Sequence, residues 1–365
     1  MTDLLSDLHS DLAAPAWTED FTGELTCVAI AEITHDVRSF TFERPGATRL
    51  RVEPGQYLTL GFELGGVPVE RCYTIASSPE EPQRPTITVK KIPGGPASTW
   101  LHEQLSVGVR VRARGPFGLF SSAFHPSDRY LFLSAGSGIT PLMSMTRALR
   151  DQGRLGRGLG QADVVFVHCA RTPQDIIFRA ELTELADSGA AKVVVLCEED
   201  SAHEAWTGAR GRLTLPALLT AAPDLLAREI FPCGPPPFMS AVRDHLDLVA
   251  ADPGRCHTES FVLGAGAPPL PADPGRAGTT YRVIFQRSGR IIECDGDTPV
   301  LTAAARAGLA LPSSCEQGAC GTCKTVLLAG RVDMVHAGGI RQREIDGGEV
   351  LLCCSRPLDD LEVDA

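Results

Sequence analysis

The first third of the chain is a series of short runs rich in β-branched and aromatic residues, separated by Gly and Pro. Such runs are typical of short strands, and the turn residues between them indicate an antiparallel β-barrel between residues 21 and 120. The predicted strands cover residues 25–30, 38–43, 57–62, 86–90 and 110–114.

The pattern changes near Ser127, where apolar runs begin to alternate with stretches of helical character. This alternation is typical of βαβ units and predicts an α/β domain built on a doubly wound parallel sheet. The predicted strands are residues 130–134, 164–168, 193–197 and 229–233. The predicted helices lie near residues 141–150, 179–187, 215–221 and 236–250.

A segment of Gly, Pro and Ala with almost no apolar bulk follows at residues 263–279. It is expected to be a linker, and movement of the domain after it is a hypothesis. That domain begins with predicted strands at 281–286 and 290–294 and a helix at 299–307, which starts with a proline. The predicted organisation is an N-terminal extension 1–21, a barrel 22–126, an α/β domain 127–262, a linker 263–279 and a C-terminal domain 280–365.

The composition allows a multidomain protein and excludes some classes of partner. The chain has 365 residues, 43% of them hydrophobic, so each of about two to three domains can build a core. No apolar run approaches the roughly 18 residues of a membrane span, and the acidic N-terminus does not resemble a secretory signal. A net charge of −11 argues against a nucleic-acid partner. We therefore expect neither a nucleic acid nor a membrane as partner.

The chain contains 12 cysteines, several of them closely spaced. In a long chain without a secretory signal, such cysteines are more typical of metal ligands or free thiols in a reducing compartment than of disulfides. The sequence therefore predicts a cytoplasmic protein.

Cys315, Cys320 and Cys323 have the spacing C-x4-C-x2-C, and a fourth cysteine lies farther along the chain. This is the plant-type spacing for a 2Fe–2S cluster, in which two irons need four thiolates. Gly318 and Gly321 would let the loop approach the cluster and offer amide donors to its sulfurs. A zinc site is the alternative, but zinc ligands usually come as two CxxC pairs.

The fourth cluster ligand is either Cys353 or the adjacent Cys354. The C-terminal domain resembles the plant-type ferredoxins, whose α+β fold is a β-grasp, and this family commonly places a proline four residues after its last ligand. Pro357 stands at that distance from Cys353. The resemblance therefore favours Cys353 as the ligand and Cys354 as a thiol of the core or of the cluster's surroundings.

Near the end of one barrel strand, Arg71-Cys72-Tyr73-Thr74 resembles the R-x-Y-(S/T) motif of ferredoxin–NADP reductase-like proteins. The guanidinium of Arg71 can clamp a pyrophosphate, and the ring of Tyr73 can cover an isoalloxazine. The hydroxyl of Thr74 can reach flavin N5, where hydride arrives. The alternative is that Arg and Tyr only decorate a sheet face.

A second flavin motif lies downstream in GGPAS, residues 94–98. In the same family the corresponding turn offers backbone amides and a hydroxyl to the flavin phosphates, so the resemblance implies that Gly95 and Ser98 bind flavin. A helix is expected to begin near Trp100. The two motifs, in this order inside a predicted barrel, indicate a flavin domain, with FAD favoured over FMN.

The segment GSGITP, residues 136–141, follows a predicted strand and opens a predicted helix. Gly136 and Gly138 permit close backbone approach, and the helix N-terminus can stabilise a dinucleotide pyrophosphate. Thr140 is expected to cap the helix, with Pro141 in its first turn. The G-x-G-x-x-P form resembles the NAD domains of ferredoxin reductase-like proteins, and an ordinary strand-to-helix turn is the alternative.

The segment CGPPPFM, residues 233–239, ends the last predicted strand of the sheet and matches the family's C-G-P-x-x-(F/Y)-M element. In that family the cysteine lies beside the nicotinamide C4. The resemblance implies that Cys233 and Thr74 act where hydride is transferred, with Gly234 giving the turn its room. The alternative for Cys233 is an ordinary buried core cysteine.

Arg171 and Asp175 follow the second predicted strand of the sheet, near the expected position of the adenosine ribose. Arg171 could accept a 2′-phosphate, whereas Asp175 could repel one or bind a 2′-hydroxyl. By resemblance to NADH-using relatives, NADH is favoured over NADPH. Phe261 stands just before the linker and is expected either beside the flavin or in the core.

Residues 22–365 together resemble the reductase components of Rieske-type oxygenase systems, in particular the glycine betaine monooxygenase reductase group. The resemblance rests on VERCYTIASSP at 69–79, TVKKIPGG at 88–95, HCARTPQDIIF at 168–178 and CCSRP at 353–357. Cys72 departs from the motif, which often has Ser there, and this leaves the flavin roles intact.

The resemblance implies that hydride from NADH reaches FAD and that electrons then pass singly through the 2Fe–2S cluster. Their acceptor would be a terminal oxygenase with Rieske non-haem iron that demethylates glycine betaine or a related methylammonium compound. A hybrid-cluster protein or a di-iron oxygenase is an alternative acceptor. A redox-sensing or electron-carrier subunit with little NADH turnover is an alternative of another class, against which the glycine loop and Cys233-Gly234 argue.

Overall fold

The computed structural model describes residues 17–18, 21–44, 49–259, 278–309, 311–313, 316, 318, 321–336 and 338–365. Within these ranges, a barrel, a parallel sheet and a smaller mixed sheet follow one another along the chain. No helix of the described part is long and apolar enough to cross a membrane.

The first unit is the predicted antiparallel barrel. Its elements are β1 (Trp17–Thr18), β2 (Phe21–Thr34), β3 (Val37–Glu43), β4 (Arg49–Leu50), β5 (Tyr57–Leu64), β6 (Val67–Thr74), β7 (Thr86–Lys90), α1 (Pro96–Glu103) and β8 (Arg110–Phe117). Six strands pair in the order β6-β5-β8-β2-β3-β7, and β1 pairs separately with β4. A bridge between Ile75 and Ile87 joins the two ends of that order, so the sheet curls around a core of Phe, Leu and Val side chains.

The second unit is the predicted parallel sheet with helices on both faces. Its elements are β9 (Arg129–Ala135), α2 (Ile139–Asp151), β10 (Asp163–Ala170), α3 (Arg179–Asp187), β11 (Lys192–Cys197), β12 (Ala209–Arg210), α4 (Leu215–Ala221), β13 (Glu229–Cys233) and α5 (Pro236–Leu248). The strands lie in the order β12-β11-β10-β9-β13, and all are parallel. Each face of the sheet carries its own apolar core, which explains why the strands read as unbroken apolar runs.

The strand order places a topological switch at β9. The chain leaves β9 towards β10 on one side, and β13 returns to its other side, so the crevice of the sheet opens where β9 and β13 end. Ser134 and Cys233 pair at that edge. Ligands of open α/β sheets bind at such a crevice, which directs attention to the loops that follow these two strands.

The third unit is a mixed sheet with a short helix, as the α+β expectation requires. Its elements are β14 (Thr280–Phe285), β15 (Arg290–Asp295), α6 (Val300–Arg306), β16 (Lys324–Ala329), β17 (Val332–Met334), α7 (Gln342–Asp346), β18 (Glu349–Leu351), β19 (Ser355–Pro357) and β20 (Leu361–Val363). The main sheet has the order β15-β14-β20-β16-β18, in which β14 and β20 are parallel neighbours. Val283, Phe285 and Leu351 belong to its buried core.

Two predicted helix starts are wrong. The helix expected near Trp100 begins at Pro96, because Gly95 already serves as its N-cap and proline suits the first turn. Helix α2 begins at Ile139 with Gly138 as N-cap, so Thr140 lies inside the first turn and does not cap it. The predicted linker, apart from residues 278 and 279, lies outside the described residues.

Candidate functional site

The predicted flavin motif, residues 71–74, forms the carboxyl end of β6. Arg71 and Tyr73 pair across the sheet with Leu60 and Leu58, which are fully buried in the barrel core. Directly opposed residues share a face, so Arg71 and Tyr73 both point to the inner face of the strand. The sheet thus brings together the two side chains to which the sequence assigned flavin contacts.

Thr74 is buried, and no group of the described residues pairs with its Oγ1. A buried hydroxyl left unpaired costs about 1–3 kcal/mol, so a polar group from outside the polypeptide fits this position. Burial also raises the pKa of Tyr73, and the charge of Arg71 offsets this only in part. The phenol therefore stays protonated and presents a neutral ring, which suits contact with a flavin.

The N-terminus of α1 forms the second predicted flavin contact. No side chain caps this terminus, and its first turn has no acidic residue. The Ser98 hydroxyl accepts a hydrogen bond from the Ile92 amide (3.0 Å) and donates one to the Gly95 carbonyl (3.1 Å), so it braces the turn. A Cβ on Gly95 would lie 3.0 Å from Ile92 Cβ. The tight turn leaves backbone amides to face an anionic phosphate.

The predicted nucleotide loop leaves β9 as a single 3-10 turn, Gly136–Gly138, and continues into α2. Gly136 has a left-handed φ of +53°, and a Cβ there would meet nothing within 4 Å. The Thr140 hydroxyl donates to the Ser137 carbonyl at 3.0 Å, and no side chain caps α2. Pro141 occupies the same first turn. The result is an open, uncapped helix terminus, which fits a dinucleotide pyrophosphate.

The glycine loop and the Cys233-Gly234 turn touch each other directly. A Cβ added to Gly138 would lie 2.2 Å from the Cys233 carbonyl oxygen and 2.7 Å from the Gly234 nitrogen. Gly234 in turn has Phe238 and Ala135 packed against the position of its own missing Cβ, at 2.6 and 3.2 Å. These two sequence-distant motifs therefore form one crevice, and glycine is required at both contacts.

Helix α2 also ties the nucleotide loop to the flavin motif. The Ser144 hydroxyl donates to the Ser77 carbonyl at 3.1 Å, and Arg147 Nη1 donates to the Ala76 carbonyl at 2.6 Å. Both carbonyls belong to the segment that directly follows Thr74. One rigid helix thus begins at the glycine loop and anchors the end of the flavin motif, which fixes the distance between the two.

Cys233 is fully buried, and burial raises the pKa of its thiol well above the ordinary value, with Glu259 adding to the effect. Glu259 pairs with Cys233 through a parallel bridge. Its Oε2 is enclosed without a partner among the described residues, and burial raises its pKa to about 8. Near neutral pH the site therefore holds two neutral proton carriers, a thiol and a carboxylic acid.

A buried histidine supports the same edge of the sheet. His168 Nδ1 lies 2.8 Å from Ser134 Oγ, and burial lowers its pKa to about 3. Its Nε2 has no partner within the described ranges. The neutral ring thus supports β9 at Ser134, two residues before the 3-10 turn begins at Gly136.

Arg171 and Asp175 form an ion pair rather than two independent ribose contacts. Arg171 Nη2 donates to Asp175 Oδ1 at 2.8 Å, and the other carboxylate oxygen accepts from the amide and the hydroxyl of Thr172. Burial opposes ionisation of Asp175, but the bonds from Arg171 and Thr172 hold its pKa below the ordinary value. Asp175 therefore acts as a capping group, and Arg171 keeps a largely exposed but already paired charge.

Two of the four predicted cluster ligands lie in the described residues. The Cys353 amide donates to Cys323 Sγ at 3.4 Å, and the Gly318 amide donates to Cys353 Sγ at 3.2 Å. Cys354 Sγ donates to the Leu351 carbonyl at 3.7 Å. Amide donors at thiolate sulfurs are typical of iron–sulfur sites, so this pair fits a cluster with Cys353 as the ligand.

The loop that carries these ligands needs its glycines. Gly318 and Gly321 have left-handed φ values of +70° and +73°, and a Cβ on Gly321 would lie 2.7 Å from the Gly339 carbonyl oxygen. The predicted ligands Cys315 and Cys320, like the predicted flavin neighbour Phe261, lie outside the described residues.

Sequence reasoning missed Glu259, the Ser134–His168 pair and the anchoring of residues 76 and 77 by α2. Glu259 lies two residues before Phe261, which the sequence analysis singled out, but no feature of the neighbouring sequence indicates that the carboxyl of Glu259 is buried. The Ser134–His168 contact joins residues 34 positions apart, and the α2 anchors join residues 67 and 71 positions apart. Only the folded arrangement shows these contacts.

Three family models match the chain in consecutive blocks. The oxidoreductase FAD-binding domain matches residues 24–121, and the oxidoreductase NAD-binding domain matches residues 132–244. The 2Fe-2S iron-sulfur cluster binding domain matches residues 283–358. The three blocks correspond to the barrel, the parallel sheet and the mixed sheet, which confirms the predicted fold class and cofactor set.

Two curated relatives match nearly the full length of the chain. The glycine betaine monooxygenase reductase subunit of Pseudomonas aeruginosa is 41% identical over 351 residues, covering 93% of this chain and 94% of that protein. The stachydrine N-demethylase reductase subunit of Rhizobium meliloti is 41% identical over 346 residues, covering 93% and 96%.

A solved structure shares the whole arrangement. Phthalate dioxygenase reductase, described as a modular structure for electron transfer from pyridine nucleotides to [2Fe-2S], superposes with a TM-score of 0.56 at 26% identity. The match covers 94% of this chain and 98% of that one, so all three units take part in the likeness.

Proposed function

The chain belongs to the family of oxygenase reductase components that join FAD-binding, NAD-binding and 2Fe–2S domains, and from this we propose its electron donor, acceptor and site residues. The donor is NADH. The acceptor is a Rieske-type oxygenase that demethylates glycine betaine or a related methylammonium compound. The described cysteines form no disulfide, which suits a reducing compartment such as the cytoplasm.

The cofactors supply the redox chemistry, in which FAD takes hydride from NADH and releases electrons one at a time to the 2Fe–2S cluster. The polypeptide places these groups. Arg71, Tyr73 and Thr74 hold the flavin at the end of β6, with Gly95 and Ser98 at its phosphates. The uncapped start of α2, Gly136 to Pro141, holds the nucleotide.

Cys233 and Glu259 are enclosed groups in the wall of the crevice in which the nicotinamide would bind. Both are neutral near pH 7, because burial raises the pKa of each. A wall without charge forms no ion pair with the positively charged oxidised nicotinamide ring. Cys233 therefore orients the ring and excludes water, and it forms no covalent bond.

We favour NADH over NADPH on the geometry of Arg171. Its guanidinium is already bound to the Asp175 carboxylate, which two bonds from Thr172 keep in place. A 2′-phosphate would have to approach that carboxylate and displace the pair, whereas the 2′-hydroxyl of NADH carries no charge to repel.

The observation that carries the proposal is the contact of Gly138 with Cys233 and Gly234, which joins the nucleotide loop to the nicotinamide wall. An electron-carrier subunit without NADH turnover would have no need of this crevice. Anaerobic addition of NADH separates the two functions. We expect rapid bleaching of the flavin absorbance, and failure to bleach would leave the carrier function.

A second experiment tests the acceptor. The purified chain is combined with candidate oxygenases of the Rieske, di-iron and hybrid-cluster classes. With the Rieske oxygenase and glycine betaine we expect one formaldehyde released for each NADH oxidised. N-Demethylation consumes two electrons and one dioxygen and releases the methyl carbon as formaldehyde. Faster NADH-driven reduction of a di-iron or hybrid-cluster protein would contradict the proposed partner.

A further inference from the structure

Strand β6 separates two environments. Arg71 and Tyr73 face the barrel interior, as described above. Glu70 pairs with Gly61, and because side chains alternate along a strand it lies on the opposite, outer face. The residue directly before the flavin motif therefore lies on the face opposite Arg71 and Tyr73, where its carboxylate reaches the third unit.

The outer face of β6 contacts the loop that carries the cluster ligands. Glu70 Oε2 accepts a hydrogen bond from Thr322 Oγ1 at 3.2 Å, and Arg114 Nη2 on β8, which lies on the far side of β5 in the sheet, donates to the same oxygen at 2.7 Å. Thr322 is the residue immediately before the ligand Cys323. Glu70 thus links the flavin strand to the cluster loop through a single side chain.

A second contact lies beside the first, at the end of β8. Arg341 Nη2 donates to the Pro116 carbonyl at 3.0 Å, and its guanidinium lies 5.5 Å from the centre of the Phe117 ring. The Arg341 backbone is fixed in turn, because its amide donates to Glu344 Oε2 at 2.8 Å at the start of α7. The charged group is therefore presented from a braced position.

Backbone packing completes this surface. The Gly118 amide donates to the Gly338 carbonyl at 3.4 Å. A Cβ on Gly338 would lie 2.8 Å from the Leu119 nitrogen and 2.9 Å from Gly118, and the residue has a φ of +90°. Only glycine permits the third unit to approach the barrel so closely here.

We propose that this surface, defined by Glu70, Arg114, Pro116 and Phe117 on the barrel and Thr322, Gly338 and Arg341 on the third unit, is the docking surface that sets electron transfer from flavin to cluster. Glu70 and Arg341 are its positioning residues. The inference rests on the proposed function. The side chain of Glu70 alone spans the distance between the flavin strand and Thr322, the residue before Cys323. With FAD and the 2Fe–2S cluster bound, electrons would cross this surface singly, each one oxidising the flavin by one electron and reducing the cluster by one electron.

The test compares variants of the full-length holoenzyme. Glu70→Ala removes the acceptor shared by Arg114 and Thr322, Glu70→Gln restores an oxygen acceptor, and Arg341→Gln removes the cation. Glu24→Gln is the matched barrel control, because Glu24 pairs with Arg110 on the same strand β8 at 3.5 Å and has no hydrogen bond or ion pair with the third unit among the described residues. Arg331→Gln is the control on the third unit, where Arg331 pairs with Asp359.

Anaerobic stopped-flow mixing with NADH follows flavin and cluster absorbance separately. We expect flavin reduction at the wild-type rate in every variant and cluster reduction slowed about tenfold in Glu70→Ala and Arg341→Gln, equivalent to about 1.4 kcal/mol of docking free energy. Glu70→Gln should recover part of the rate. Both controls should match the wild type.

Hydrogen–deuterium exchange gives a readout that does not depend on turnover. Peptides that cover residues 112–119 and 338–343 should exchange faster in Glu70→Ala and Arg341→Gln, and not in the controls. If Glu70→Ala loses its flavin, Thr322→Val replaces it in the test. This substitution removes the hydroxyl that reaches Glu70. The 2Fe–2S absorbance of the variant is checked before use.

Unchanged cluster reduction and unchanged exchange in both Glu70→Ala and Arg341→Gln would overturn the docking surface. That result differs from failure of the proposed function, in which NADH would not bleach the flavin of the wild-type protein at all.

Discussion

Replacing Gly138 with alanine tests the crevice between the nucleotide loop and the nicotinamide wall. Its φ of −64° suits any residue, so alanine adds no backbone strain and only the new methyl group acts. That methyl would lie 2.2 Å from the Cys233 carbonyl oxygen and 2.4 Å from its carbonyl carbon, and both are backbone atoms that cannot rotate away. The two segments must therefore move apart.

The size of the effect follows from these distances. Real Cβ atoms essentially never lie closer than 3.0 Å to a non-bonded heavy atom. To reach such a distance, the Cys233 backbone must move away from the start of α2 by on the order of 1 Å. A misplacement of that size can cost about 100-fold in rate, or about 2.7 kcal/mol of transition-state stabilisation. Overpacking also destabilises by about 1–3 kcal/mol.

The assay is anaerobic stopped-flow reduction of the flavin at saturating NADH, with flavin and cluster content measured first. We expect Gly138→Ala to retain both cofactors and to reduce its flavin about 100-fold more slowly. Gly254→Ala is the control, because Gly254 has no left-handed φ and its nearest contact is the flexible Asp252 carboxylate at 3.3 Å. A Gly138→Ala protein that reduced its flavin at the wild-type rate would refute the reasoning.

Three further predictions concern the other parts of the site. Because burial raises the pKa of Glu259 from 4.5 to about 8, the folded protein holds a proton there that the unfolded chain releases, so stability should fall as pH rises between these values, by no more than about 1.4 kcal/mol per pH unit. Glu259→Gln should flatten this dependence in urea unfolding from pH 5 to 8, and an unchanged slope would contradict the burial. Cys353→Ser should abolish the 2Fe–2S absorbance and electron paramagnetic resonance signal, whereas Cys354→Ser should keep both; the reverse pattern would exchange their roles. Arg171→Ala should change the KM for NADH less than about fivefold, because an exposed paired charge contributes at most about 1 kcal/mol, and a collapse of NADH binding would refute the assignment.

Much of the fold is readable because its strands and helices follow local patterns. The strand Thr86–Lys90, the helices Arg179–Asp187 and Leu215–Ala221 and the strand Glu229–Cys233 have the predicted bounds. Each is a continuous apolar run or an amphipathic stretch with turn residues at its ends. Periodicity alone determines such elements, since one buried face is enough to fix them.

A strand that ends in the flavin motif was expected, but its bounds, Val67–Thr74, were not predicted. Its outer face carries Glu70, which binds the third unit, and its inner face carries Arg71. Charged residues on both faces hide the alternation that a strand with one buried face would show. The charged residues that make the strand's contacts therefore also obscure the hydrophobic–polar alternation from which its bounds could have been predicted.

The candidate site was predictable where chemistry and spacing coincide in one segment. Gly138 and Cys233 were each identified from a local motif, but their contact across 95 positions comes from the pairing of β9 and β13. The Arg341 contact with Pro116 spans 225 positions, and the Thr322 contact with Glu70 spans 252. No local pattern encodes such contacts, because they depend on how separate cores pack.

In the proposed function, electrons enter beside Gly138 and Cys233 and leave through the cluster at Cys323 and Cys353. Rapid anaerobic mixing with NADH, recorded at flavin and cluster wavelengths, tests it most directly. In the wild type we expect flavin absorbance to fall first and cluster absorbance second, and we expect Cys353→Ser to keep the first phase and lose the second. A cluster that is reduced before the flavin, or a flavin that NADH never bleaches, would contradict the account.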